Sequence, residues 1–198
     1  MNTLSTALKT MGFIVVSFLV LPIALAFLIY LADGEERGGF ADARLFSVRY
    51  IASVIVLMLI LIPFFWYAHK RKPGQYLNWG EAMIAATYVF FVLFWLYGVV
   101  PHEYLTWADS ELAWRADKKV IGPEGSWASW WGFWQDIPLT IHKEIFRDIV
   151  VTTLYVVGLG GLIWAFAWWN DRTKRADADA AIVPTSAYGR PLVSKAQG

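Results

Sequence analysis

Four blocks of apolar residues, each about the length needed to cross a lipid bilayer, constrain this chain more than any other feature. They lie at about 11–31, 46–68, 81–100 and 149–169 of the 198 residues. At 1.5 Å per residue, about 20 apolar residues cover the hydrocarbon thickness of a membrane. Within lipid a helix is the spanning form that satisfies its own backbone hydrogen bonds. The expected fold is therefore an all-α integral membrane protein with about four transmembrane helices, forming a single domain over residues 1–175. The first block is read as a retained helix, with a bend expected at Pro22. Its apolar core is too long for a signal peptide, and the acidic run Asp33-Gly34-Glu35-Glu36 follows without a small-residue cleavage site.

Flanking charge gives the orientation. His69-Lys70-Arg71-Lys72 follows the aromatic run Phe64-Phe65-Trp66-Tyr67 at the end of the second block, and Arg172, Lys174 and Arg175 follow the fourth. The segment between the first two blocks is mostly acidic, with Asp33, Glu35, Glu36 and Asp42 against Arg37 and Arg44. Lys and Arg collect on the cytoplasmic side, so both termini are expected there, in the cytoplasmic (inner) membrane of a bacterium.

The longest extramembrane piece, 101–148, is then on the outer side. Pro101 is expected to close the third helix, and Thr106-Trp107-Ala108-Asp109 to open a short new one as a capping box, with Glu111 and Arg115 paired along it. Further on, Trp127, Trp130, Trp131 and Trp134 fall within eight residues. Tryptophan favours the headgroup layer, where its ring is half-buried and its N–H is wet. An interfacial aromatic helix is expected at 126–135, with Pro138 turning the chain into the fourth block. The polar stretch 176–198 carries too few apolar residues to form a core and reads as a disordered cytoplasmic tail or one laid on a partner.

Composition excludes several chemistries. With no cysteine there is no disulfide, thiolate nucleophile or iron–sulfur cluster on this chain. Net charge is +1 and the basic residues are confined to short clusters, which gives nucleic acid no binding face. His69, His102 and His142 all fall near block ends, so the chain alone is expected to bind no haem; no metal site is assigned. Gly158-Leu159-Gly160-Gly161 lies inside an apolar block and follows no strand, so it is not a phosphate loop.

The candidate quinone or proton-transfer residues are His102, Glu103 and Tyr104 after the third block and Asp136 and His142 before the fourth. Imidazole titrates near neutral pH, so a histidine beside a carboxylate at the membrane boundary is able to accept a quinol proton. The competing reading is wet residues anchoring helix ends, with Glu144 and Arg147 a simple helical pair. The candidate partner contacts are the four tryptophans together with Gly158 and Gly161, small residues that let helices approach closely. The expected role is an accessory or anchoring subunit of a bacterial respiratory or photosynthetic electron-transfer complex, non-catalytic by itself. Its partners would be the bilayer and other membrane subunits, haem or iron–sulfur proteins among them, with a quinone at their shared boundary. The alternatives are an oligomeric transporter or channel component, and a membrane enzyme using the outer histidines and carboxylates as metal ligands.

Overall fold

A computed structural model of the chain describes residues 3–33, 45–72, 75, 77–121 and 139–181. Among them are four helices long and apolar enough to cross a membrane: Ser5–Leu31, Val48–Lys70, Trp79–Ser110 and Lys143–Arg172. Contacts at both ends of these helices place them up and down in sequence order. Tyr50 of the second meets Tyr104 and Trp107 of the third, while Phe65 meets Trp168 of the fourth at the opposite end.

Each helix extends beyond its apolar block because polar residues start or continue it. Ser47 caps the second helix by accepting from the Tyr50 N–H. The third opens with a capping box. Asn78 Oδ1 accepts from the Glu81 N–H at 2.7 Å, and Glu81 Oε2 accepts from the Asn78 N–H at 3.1 Å. The box expected at Thr106–Asp109 does not exist, since those residues lie inside the third helix. Pro101 does not close that helix either. It sits at the start of the α-helical stretch Val100–Ser110, directly after a π-helical segment, Trp95–Val99. The Glu111–Arg115 helical pair is also absent, because the helix stops at Ser110 and Arg115 Nε donates instead to the Asp109 carbonyl.

The prolines explain how the helices are joined. Proline has no N–H, so the carbonyl four residues before it loses its helical partner. Ahead of Pro22 the first helix widens into a π segment, Val16–Val20, and the Phe18 carbonyl accepts from the Tyr50 hydroxyl of the second helix. Ahead of Pro101 the same arrangement recurs: the Tyr97 carbonyl accepts from the Tyr155 hydroxyl of the fourth helix at 3.3 Å. One turn before Pro63, the Ile60 carbonyl accepts from the Tyr88 hydroxyl of the third. Trp95 Nε1 adds a fourth such bond, to the Ser53 carbonyl at 2.8 Å. Two of these four donors, Tyr50 and Tyr155, meet the carbonyls that Pro22 and Pro101 leave without a helical partner.

The described residues are mostly helical, as expected, and the segment after the third helix adds one short ribbon. Strands β1 (Lys119–Ile121) and β2 (Ile141–His142) pair antiparallel, Lys119 opposite His142 and Ile121 opposite Ile141. The Lys143 N–H, at the start of the fourth helix, donates to the Lys118 carbonyl at 2.8 Å, so the ribbon sets where that helix begins. The helix then runs as Lys143–Ala181, past the start expected at 149 and into the stretch expected to be a tail. Residues 126–135, Pro138 and 182–198 lie outside the described residues.

Candidate functional site

The end of the bundle that carries the ribbon, here the strand end, is filled by aromatic rings. Tyr50, Tyr104 and Trp107 are all buried to 1% exposure or less. Tyr50 stacks on Trp107 at 5.7 Å, and Tyr104 meets both rings edge-on, at 5.6 and 6.1 Å. Phe18, Val54, Val100 and Leu154 pack around them. Beyond Trp107 the chain turns through Ala113, which sits at φ 52, and folds Leu112 and Trp114 back onto the cluster.

The five candidate quinone residues are distributed as follows. Tyr104 is inside the aromatic cluster, and its hydroxyl is buried without a hydrogen-bond partner among the described residues. Glu103 is half-buried, and its Oε2 is likewise buried and unpartnered. His102 is exposed on the same turn, and His142 is half-buried in β2. No hydrogen bond or ion pair among the described residues joins the side chains of His102, Glu103 and His142. Asp136 lies outside the described residues, as do Trp127, Trp130, Trp131 and Trp134. Among the described residues no three histidines or carboxylates are grouped closely enough to hold a metal ion.

What the strand end does assemble is an arginine clamp. Arg147 Nη1 reaches Asp109 at 2.7 Å, Nη2 reaches Glu144 at 2.8 Å and Nε reaches Asp148 at 2.9 Å. The Glu144 pair follows helical spacing, but Asp109 is 38 residues away and no local pattern points to it. The guanidinium stays charged at any physiological pH, so the clamp fastens the third helix to the fourth without exchanging protons.

At the opposite, basic end the chain is open. A cleft of about 330 Å³ reaches among all four helices, with Phe13, Leu61, Val92 and Gly161 in its walls. A second, of about 510 Å³, lies between the second and third helices beside Pro63, Leu77 and Ala85. The small-residue patch of the fourth helix divides across this boundary. A Cβ on Gly158 would stand 3.3 Å from Leu96 and 3.4 Å from Tyr97, so this glycine allows a close helix crossing. A Cβ on Gly161 would meet nothing within 4 Å, and its face opens on the first cleft.

In the sequence the basic residues at this end read only as topology signals. The structure also gives them bonds. Arg172 Nη2 donates to the Ala68 and Arg71 carbonyls at the end of the second helix, where four carbonyls lack helical partners and the dipole is negative. The same guanidinium lies 5.2 and 5.3 Å from the ring centres of Trp168 and Trp169, and Lys70 lies 4.1 Å from that of Trp66. Arg71 pairs with Glu81 at 3.7 Å, tying the second helix to the start of the third. No protein-family pattern, curated protein or solved structure matches the chain.

Proposed function

We propose that this chain is a multi-pass protein of the bacterial cytoplasmic membrane, with both termini inside, and that it serves as an accessory or anchoring subunit of a respiratory or photosynthetic electron-transfer complex. The observation that carries the subunit reading is the third helix. Only 11% of its most apolar stretch is buried against its own chain, against 28% for the first and second helices. Over Trp79–Phe94 a single residue, Val92, is buried. Ile84 and Phe90 are exposed to more than 70%, and Ala82 and Ala86 lie bare at small-xxx-small spacing. A helix so little covered by its own bundle offers a full face to lipid or to a partner helix, and the paired alanines suit close helix approach.

The quinone boundary is proposed at the strand end. Support comes from Glu103 and Tyr104, whose buried oxygens have no partner among the described residues. Buried polar atoms are ordinarily satisfied, and a ligand or a partner's donor at that boundary would complete these two. The exposed His102 beside them supplies a group able to pass protons to water. The same alanine face also suits self-association, which keeps an oligomeric channel or transporter component as the second reading.

Purification from the native membrane in mild detergent, followed by identification of what accompanies the chain, separates the two. Co-purifying haem or iron–sulfur proteins are the expected result. A pure homo-oligomer would replace the subunit reading with the second one.

A further inference from the structure

The two clefts at the basic end share a wall. Phe64, Tyr88, Val89 and Trp169 line both of them. Three polar side chains in these walls are already used by the chain: the Thr10 hydroxyl donates to the Thr6 carbonyl at 2.9 Å, the Tyr88 hydroxyl donates to Ile60, and Glu81 pairs with Arg71. Each cleft therefore presents hydrocarbon.

Trp169, in the shared wall, carries Arg172 on its ring, and Arg71 lies one hydrogen bond further along. The helix ends on this side carry Lys70, Arg71, Lys72, Arg172 and Lys174 against Glu81 and Asp171. Two apolar slots divided by one wall, beneath a cationic rim, match a molecule with two chains and one negative head. We propose that the paired clefts hold one diacyl anionic phospholipid, one acyl chain in each cleft and the phosphate beside Arg172 and Lys70, which lie over the cleft-lining rings of Trp169 and Trp66. The site rests on the membrane reading given above, under which the basic end lies in the cytoplasmic leaflet, where anionic lipid attracts Lys and Arg.

The test uses the full chain, delipidated in detergent and titrated by native mass spectrometry with phosphatidylglycerol and phosphatidylcholine of identical acyl chains. One phosphatidylglycerol per chain is expected, held about tenfold more tightly than phosphatidylcholine, with the single-chain lyso form retained less well. Gly161→Leu projects a side chain into the first cleft from a position with no close neighbour, and it should abolish phosphatidylglycerol retention. Equal retention of the two headgroups would overturn the proposal, as would preferential retention of a long-chain quinone. Unchanged binding by Gly161→Leu would do the same. The headgroup comparison decides the matter on the unaltered chain even if that variant misfolds. Alkaline carbonate extraction keeps the two readings apart: release of the chain into the soluble fraction would refute the membrane reading itself, whatever the lipid result.

Discussion

The two ends of this bundle are built from similar side chains and packed in opposite ways. At the strand end Tyr50, Tyr104 and Trp107 interlock with almost no exposure, and one arginine holds three carboxylates from two helices. At the basic end Phe64, Trp164 and Trp169 line clefts instead of filling a core, and the helices are held by Arg71 and Arg172 at their tips. Aromatic content therefore does not decide packing here. The strand end has Gly158 to let the third and fourth helices close on each other, and a ribbon to fix where the fourth helix starts. The basic end has bulky residues on every helix, and its small residue Gly161 faces an open cleft with no side chain seated against it.

The sharpest way to break this comparison is to delete the same ring at each end. Trp107→Ala should cost about 3–5 kcal/mol, because a fully buried indole leaves a void that its neighbours cannot close. Trp164→Ala, at a ring already 39% exposed, should cost under about 1 kcal/mol since few contacts are lost. Denaturant titration in mixed micelles, followed by circular dichroism, measures both. Equal costs would mean that the ends do not differ in packing.

Next in size is the clamp. Arg147→Gln should destabilise by about 1–2 kcal/mol, the value of hydrogen bonds to charged groups reduced for the partial exposure of all three carboxylates. The loss should shrink at high salt, where surface ion pairs are screened. A salt-independent loss would point to packing by the arginine stem instead.

The tyrosine–proline pairing is tested by a double-mutant cycle. Tyr50→Phe removes the donor to the Phe18 carbonyl and should cost about 1 kcal/mol. In a Pro22→Ala background residue 22 regains an N–H for that carbonyl, so the same change should cost less than half as much. Additive effects would show that Tyr50 does not serve the carbonyl freed by Pro22. The smallest expected change has the opposite sign. Ala113 sits in the left-handed region, which costs a non-glycine residue about 1 kcal/mol. Ala113→Gly should recover about 0.5 kcal/mol of that, the rest being lost to the greater freedom of glycine in the unfolded chain.

The four helices were legible because length and hydropathy alone determine them, and no tertiary contact is needed to make a 20-residue apolar run helical. Their ends were less legible. Asn78-Trp79-Gly80-Glu81 carries the capping-box pattern directly before an apolar run, while Thr106 and Asp109 carry a similar pattern inside a helix, where neither is needed as a cap. Pro101 looked like a terminator because proline removes a helical bond. The π segment before it and Tyr155 from another helix absorb that loss, and neither is visible in local sequence. The same holds for the candidate site. Glu103 and Tyr104 are candidates by their chemistry alone, but that Tyr104 joins a closed ring cluster depends on Tyr50, 54 residues earlier. Asp109 and Arg172 act through partners 38 and 104 residues distant, beyond the reach of any spacing rule.

The central claim is that the closed strand end faces outward and the open basic end lies at the cytoplasmic leaflet. The chain has no cysteine, so single replacements at Ser126 and Ser194 report on the two sides without background. An impermeant thiol reagent is applied to cells whose outer layer, if there is one, has been opened. Labelling at position 126 with none at 194 is the predicted result; labelling at 194 alone would place the open end outside and contradict the account.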